Sequence, residues 1–288
     1  MMQVKMRAGA ASRRRIVACL AVEASGVHQR AMGRFAVITL GARVYGLGAI
    51  LLGVVELVFG AFAPGWLGVS ARLPGYHLLV VAAGLVLVLG GLAINAPRVA
   101  GIAALALAAV FGVGLVFVQA PLALAHPRTW VSWQAVAEST VMTLGGLLAY
   151  AKTPRAAGGV IIARAVRWLF GASLLVFGIS HFVYLKFTAA AVPAWLPPAQ
   201  SFWAWATGVA QVAAGLAVLS GVQARVAAIL LTVMYAGFGL LVHFPMVLAN
   251  PRSHETWAEN AVNFVLVGAA WGLAEMLSGP KSVRAAAR

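Results

Sequence analysis

Long apolar runs separated by short polar segments occupy most of the chain from residue 44 onward. A helix needs about 20 apolar residues to cross the hydrocarbon core of a bilayer. The alternating pattern of a transmembrane β-barrel is absent, so each run predicts a helix that satisfies its own backbone hydrogen bonds. This pattern predicts an all-α integral membrane protein with eight transmembrane helices. The predicted spans are 44–62, 76–94, 99–118, 135–151, 168–187, 202–220, 226–244 and 261–277.

Composition supports a lipid environment. Hydrophobic residues make up 62% of the 288 residues and charged residues only 9%, whereas soluble proteins carry about 25% charged residues. The net charge of +15 could indicate nucleic-acid binding, but the basic residues lie between apolar runs rather than on one face. We therefore expect the lipid bilayer, and no nucleic acid, as a partner.

The basic residues also predict an orientation. With the N-terminus inside, all but four of the 21 Lys and Arg fall in cytoplasmic segments, as the positive-inside rule requires. The exceptions are Arg72, Arg128, Lys186 and Arg252. We expect a multi-pass protein of the inner (plasma) membrane with both termini in the cytoplasm.

The two ends of the chain are basic tails. Residues 1–40 are too weakly apolar for a cleaved signal, and we expect a disordered tail there, with either Met1 or Met32 as the true start. Residues 279–288 form a second basic tail. Cys19 is the only cysteine, so a disulfide within the chain is excluded.

An internal repeat divides the rest of the chain. The segment PLALAHPR at 121–128 recurs as PMVLANPR at 245–252, and a tryptophan follows each at the same distance, Trp133 and Trp257. Shared apolar composition does not place Pro, Arg and Trp in register, so we interpret the 124-residue offset as a tandem duplication. The predicted four-helix bundle repeats are 41–155 and 164–278. Because each contains an even number of helices, they are parallel.

Polar side chains inside the predicted spans are costly and often functional. Glu56 and Gln119 of the first half align with His181 and His243 of the second. The second half adds Gln211 and Asn263, with Glu259 in the loop before the last span. Glu138 begins the fourth predicted span. Each has a structural alternative: Gln211 could join helices, His243 could reach the interface, and Glu259 could be solvated. A buried Glu56 must be paired, protonated or near water, and pairing with His181 would satisfy it.

Metal and nucleotide chemistry lack support. His181, His243 and His254 could supply three nitrogens, but no metal-binding spacing connects them, so we predict no metal. Phosphate loops, nucleotide fingerprints and nucleophile elbows are absent from the sequence.

The second half resembles the DoxX family of small four-helix membrane proteins over about residues 167–275. The resemblance is carried by GISHF at 178–182, PAWLP at 193–197 and TGVAQ at 207–211. It implies a four-helix bundle associated with redox chemistry, in some members quinone reduction by sulfur compounds or thiol-redox complexes. The family often has Glu where this chain has Gln211. The spans also lack cysteine, so thiol chemistry would need a partner protein.

The leading expectation is a redox-associated membrane protein with a quinone-sized pocket in the outer half of its second repeat, working with a partner oxidoreductase subunit. The catalytic candidates are His181 and Glu56. The ligand-binding candidates, with Trp195 and Trp203 closing the pocket, are Gln211, His243, Trp195, Trp203, Asn263 and Glu259. One alternative is a small-solute transporter or channel, although no helix looks broken in mid-membrane. Another is a non-catalytic scaffold for a partner enzyme.

Overall fold

The computed structural model describes residues 38–63, 69–153 and 156–278. Apart from residues 38–40, the predicted basic tails at 1–40 and 279–288 lie outside the described residues. The helices are α1 (Leu40–Phe59), α2 (Tyr76–Ala93), α3 (Ala100–Gly114), α4 (Ala120–Ala125), α5 (Trp130–Ala151), α6 (Gly159–Val183), α7 (Leu185–Ala191), α8 (Gln200–Ser220), α9 (Ala224–Phe238), α10 (Phe244–Ala249) and α11 (His254–Leu277).

Seven helical stretches within the described ranges are long and apolar enough to cross a membrane. The chain is thus an all-α protein of multi-pass membrane type. Helix α5 has sufficient length, 22 residues, but polar residues such as Ser132, Gln134, Glu138 and Ser139 reduce its hydropathy. The seven stretches are Leu40–Phe59, Tyr76–Ala93, Ala100–Ala125, Ile161–Val183, Gln200–Ser220, Ala224–Ala249 and His254–Leu277.

Helix ends lie beyond several of the apolar windows. Helix α11 begins at His254, where the Ser253 side chain accepts a hydrogen bond from the Thr256 amide, seven residues before the window at 261. Helix α5 begins at Trp130 rather than 135, so Glu138 lies two turns inside the helix and not at its start. The windows missed these turns because a helix can continue through polar residues, and in α11 the Ser253 side chain also caps the N-terminus.

The long helices pack in a closed sequence of neighbours. Helix α1 contacts α2, α2 contacts α3, α3 contacts α5 and α5 contacts α6. The same order continues through α6–α8, α8–α9 and α9–α11, and α11 then packs against α1. Helices α5 and α11 also contact each other. Residues 41–155 and 164–278 are therefore joined extensively, since the first helix of each segment packs on the last helix of the other.

Two helices change their hydrogen-bonding pattern near one end. A π-helical segment, Leu115–Gln119, connects α3 to α4, and a second, Gly239–His243, connects α9 to α10. The two segments are 124 residues apart. Both helical stretches remain continuous through the π segments, although each i→i+5 turn inserts one extra residue into the helix.

The loops after α4 and α10 also share a hydrogen bond. Trp133 Nε1 donates to the Pro127 carbonyl at 3.0 Å, and Trp257 Nε1 donates to the Pro251 carbonyl at 2.9 Å. Each bond spans six residues and closes the turn into the next long helix. Trp133 and Trp257 therefore stabilise the turns that lead into α5 and α11.

Helices α1 and α11 approach so closely that their backbones touch. A Cβ atom on Gly268 would lie 2.2 Å from the Tyr45 backbone nitrogen, and one on Gly48 would lie 2.4 Å from the Val265 nitrogen. Small residues allow such approach in lipid, where packing rather than hydrophobic burial holds helices together. This contact fixes the position of α11, which carries several of the polar residues described below.

Candidate functional site

His181 lies near the C-terminus of α6 and is held by α8. Its Nδ1 is 3.2 Å from the Ala204 carbonyl oxygen and 3.0 Å from Thr207 Oγ1. A carbonyl only accepts, and the Thr207 hydroxyl already donates to the Trp203 carbonyl at 2.7 Å. The proton is therefore assigned to Nδ1, which leaves Nε2 as a free base.

Gln211 lies one helical turn beyond Thr207 on α8. Its side chain is 3% exposed, and its Oε1 has no hydrogen-bond partner among the described residues. An interhelical role would require a partner for that oxygen, because an unpaired buried amide is costly. The carbonyl oxygen of Gln211 is thus available to a donor group.

The second π segment brings His243 to α11. His243 Nδ1 lies 3.8 Å from Glu259 Oε2, too far for a hydrogen bond, and the two form an ion pair only when the imidazole is protonated. His243 Nδ1 is buried and makes no hydrogen bond within the described part of the chain. The position of His243 is therefore set by the π turn and by packing rather than by a bond to Glu259.

Asn263 and Tyr235 form the base of the same region. Asn263 Nδ2 donates to the Tyr235 carbonyl oxygen at 3.0 Å, which attaches α11 to α9 just before the second π segment. The Tyr235 side chain is 2% exposed, and its hydroxyl has no partner in the described ranges. A buried phenol without a partner can donate a hydrogen bond to a ligand carbonyl or accept one from a ligand hydroxyl.

Glu138 joins this region from the first half of the chain. Its carboxyl interacts electrostatically with Glu259 on α11 and with Tyr235 on α9. The sequence analysis had already placed Glu138 in the fourth predicted span, 135–151. Because that window began at 135, Glu138 looked like a helix-end residue rather than an interior one.

One aromatic ring connects the two sets of polar groups. Phe238 stacks on His181 with ring centroids 6.3 Å apart and contacts Tyr235 at 6.1 Å. We call the whole group the second-half cluster. It consists of His181, Gln211, Tyr235, His243, Glu259 and Asn263, with Glu138 from α5. An apolar surface flanked by hydrogen-bonding groups is typical of sites for aromatic or ring ligands.

Glu56 lies elsewhere. Its side chain is completely buried in α1, and neither carboxyl oxygen has a hydrogen-bond partner among the described residues. A Glu56–His181 pair is not formed, because His181 is bound by α8 while α1 packs on α2, α5 and α11. The two catalytic candidates, His181 and Glu56, therefore lie in different parts of the structure and do not form one site.

The two tryptophans expected above the pocket differ. Trp203 Nε1 donates to the Pro197 carbonyl at 2.8 Å, and its own carbonyl accepts from Thr207, beside His181. Trp195 is 70% exposed in the segment between α7 and α8. Trp203 thus belongs to the wall next to His181, whereas Trp195 lies on the surface.

Comparison with known proteins adds one match. A family model described as a domain of unknown function (DUF8561) matches residues 170–274. These residues begin in α6 and end in α11, so the match covers the second half and every member of the cluster except Glu138. No curated protein and no solved structure matches the chain significantly. Within the described residues, no group of three or more His, Cys, Asp or Glu could hold a metal ion.

Proposed function

We propose that this protein is a redox-associated membrane protein that binds the head group of a quinone in its second-half cluster. The observation that carries the proposal is the grouping of His181, whose Nε2 is unprotonated, and Tyr235, whose buried hydroxyl has no partner in the described ranges, around the ring of Phe238. The resemblance to the DoxX family, carried by 178–182, 193–197 and 207–211, agrees with this assignment.

Quinone chemistry needs hydrogen-bonding groups at two opposite positions of a ring. A quinone carbonyl accepts from a donor such as the Tyr235 hydroxyl or the Gln211 amide. When quinol is oxidised, each hydroxyl loses a proton, and the Nε2 of His181 is positioned as one base. The two electrons pass to a redox centre of a partner oxidoreductase subunit. The protons released from the quinol would then pass to His243, Glu259 and Glu138.

We also propose that the chain crosses the membrane eight times as two parallel copies. Helix α5 is 22 residues long, about 33 Å at 1.5 Å per residue, which matches the thickness of the hydrocarbon core. The paired π segments at a 124-residue offset and the two Trp–Pro bonds favour duplication. Eight spans leave both termini in the cytoplasm, and the basic residues favour the inner membrane.

The first experiment is mass spectrometry of lipid extracted from the purified protein. A stoichiometric quinone is expected in the wild-type extract and is expected to be lost from His181→Ala. A wild-type extract without quinone, together with no binding of added ubiquinone or menaquinone analogues, would exclude the proposal.

Thr207→Val provides a sharper variant because it removes only the hydroxyl that bonds His181. Without the Thr207 hydroxyl the ring keeps only the Nδ1 contact with the Ala204 carbonyl and is less firmly oriented, so quinone affinity should fall by up to about tenfold, the value of one hydrogen bond. Thr232→Val is the control, since Thr232 is a buried threonine that donates to the Ala228 carbonyl of its own helix at 2.8 Å. If Thr207→Val and Thr232→Val bound quinone with equal affinity, the orientation of His181 would have no effect on quinone binding.

The π segments favour a second candidate, a transporter for a small solute. Interruptions at corresponding positions of two repeats are typical of transporter binding sites, and π turns often mark functional sites. Proteoliposome uptake of a solute, without quinone binding and without any redox signal, would support this candidate over the first.

A further inference from the structure

Glu56 is a buried acid without a compensating charge. Its carboxyl is 0% exposed, and neither oxygen has a hydrogen-bond partner in the described part of the chain. The nearby backbone amide of Ala63 interacts with it without forming a hydrogen bond of good geometry. An ionised carboxylate in such surroundings would be very costly, so the protonated acid is the stable form.

The helices packed on α1 supply no positive charge at any depth. Helices α2, α5 and α11 contain no Lys or Arg within their bounds. The titratable groups that they present toward the outer end of α1 are Tyr76 and His77 on α2, Glu138 on α5, and His254, Glu255 and Glu259 on α11. Histidine is thus the only one of these groups that can take up a proton from Glu56 and become cationic.

The register of α1 against α11 locates the nearest of these histidines. A Cβ on Gly268 would touch the backbone of Tyr45, and the ring of His254 stacks on Phe59 with centroids 4.6 Å apart and planes 12° apart. The two contacts are separated by 14 residues on each helix, so the antiparallel register is continuous between them. Glu56 lies three residues inward from Phe59, a rise of about 4.5 Å.

His254 occupies the boundary between this buried site and the outer face. It is the first residue of α11, and its Nε2 is buried and has no hydrogen-bond partner among the described residues. Its neighbour Glu255 is exposed. His254 is itself partly exposed, so a proton can pass between solvent and the imidazole at this end of α11, next to Phe59 and one helical turn along α1 from Glu56.

We propose that Glu56 is a proton-binding site of the first half that exchanges its proton with the outer face through His254. In release, the O–H bond of the Glu56 carboxylic acid breaks as its proton passes to a bridging water, which gives one of its own protons to the His254 imidazole, where an N–H bond forms. The imidazolium then gives a proton to water at the outer face, and uptake is the reverse. The exchange is independent of quinone binding, because Glu56 is not part of the second-half cluster.

The direct test is labelling of the full-length protein in detergent with dicyclohexylcarbodiimide, which modifies protonated carboxylic acids in apolar surroundings. Trypsin releases residues 44–72 as one peptide, in which Glu56 is the only acidic residue. An adduct on this peptide at neutral pH is expected, and it should be lost in Glu56→Gln. A wild-type peptide that stays unmodified while the protein remains folded would overturn the proposal.

Infrared spectroscopy gives a second measurement that needs no reagent. The carbonyl band of a protonated carboxylic acid is expected at neutral pH, and it should be lost in Glu56→Gln but kept in Glu275→Gln. Glu275 is a fitting control because it lies at the other end of the α1–α11 contact, where its Oε1 accepts from the Gly41 amide at 3.2 Å. A band that is the same in both variants would contradict the assignment to Glu56.

His254→Phe tests the route. Phenylalanine keeps the ring stacked on Phe59 but removes both nitrogens, so the Glu56 band should remain while its hydrogen–deuterium exchange becomes severalfold slower. His77→Phe is the matched control, because His77 lies on α2 and is exposed. Exchange as fast in His254→Phe as in His77→Phe would overturn the route through His254.

Discussion

Asn263 Nδ2 donates a 3.0 Å hydrogen bond to the Tyr235 carbonyl oxygen, and it can do so only because residue 239 has no side chain. A Cβ on Gly239 would lie 2.7 Å from that same Nδ2. The positions 124 residues earlier hold Leu115 and Ser139. The first half thus has the larger residue at the first position and the smaller at the second, the reverse of Gly239 and Asn263.

Gly239→Ala should therefore displace Asn263 and break its bond to Tyr235. We expect a loss of about 1–3 kcal/mol of stability, typical of overpacking, measured as a lower thermal midpoint in detergent. Gly237→Ala is the matched control, because nothing lies within 4 Å of its added Cβ.

The double variant Gly239→Ala/Asn263→Ser places the smaller side chain of the first half in the second. It should regain part of the stability lost by Gly239→Ala alone. A double variant no more stable than Gly239→Ala would mean that the clash with Asn263 is not the cause.

The two glycines of the Gly268-x-x-x-Gly272 motif should differ sharply. An added Cβ at 268 would lie 2.2 Å from the Tyr45 backbone nitrogen, which cannot move without separating α1 from α11. At 272 the nearest atom is Leu148 Cβ at 3.5 Å, an ordinary contact.

We expect Gly268→Ala to cost about 3 kcal/mol or more, and Gly272→Ala less than about 1 kcal/mol. Thermal unfolding of both variants in the same detergent checks the difference. Similar midpoints would contradict the close approach of the two backbones at Tyr45.

Tyr45 also holds α1 to α5. Its hydroxyl donates to the Met142 carbonyl at 2.7 Å in a fully buried position. Tyr45→Phe keeps the ring and removes this bond, so stability should fall by about 0.5–1.5 kcal/mol.

Tyr150→Phe is a suitable comparison for Tyr45→Phe. The Tyr150 hydroxyl accepts from the exposed Ala157 amide at 3.1 Å, where water can replace it. A larger loss of stability in Tyr150→Phe than in Tyr45→Phe would be inconsistent with this difference in burial.

Seven and eight membrane crossings can be distinguished with single cysteines. In a Cys19→Ser background, Arg128→Cys and Gly159→Cys place thiols at exposed positions on either side of α5. If α5 spans the membrane, an impermeant maleimide applied to right-side-out vesicles should label position 128 and not 159. Labelling of both positions would place the two ends of α5 on one side.

The sequence alone predicted the fold class and the approximate positions of the apolar helices, because partition into lipid depends on local composition. It also identified His181, Gln211, His243 and Asn263 as polar residues in costly positions, whereas it placed Glu259 in the loop before the last span. The hydropathy pattern could not show the π segments, since a shift in backbone hydrogen bonding leaves the average hydropathy unchanged. It also missed the first turns of α5 and α11, because those turns lie outside the apolar windows.

Only the tertiary structure decided which polar residues meet. Glu138 reaches the second-half cluster from α5, while Glu56 is separated from His181 and lies instead beside the α1–α11 contact. Both outcomes depend on which helices pack together and on how each is rotated about its axis. Those properties arise from backbone contacts between residues more than 200 positions apart, such as Tyr45 and Gly268, and no local pattern encodes them.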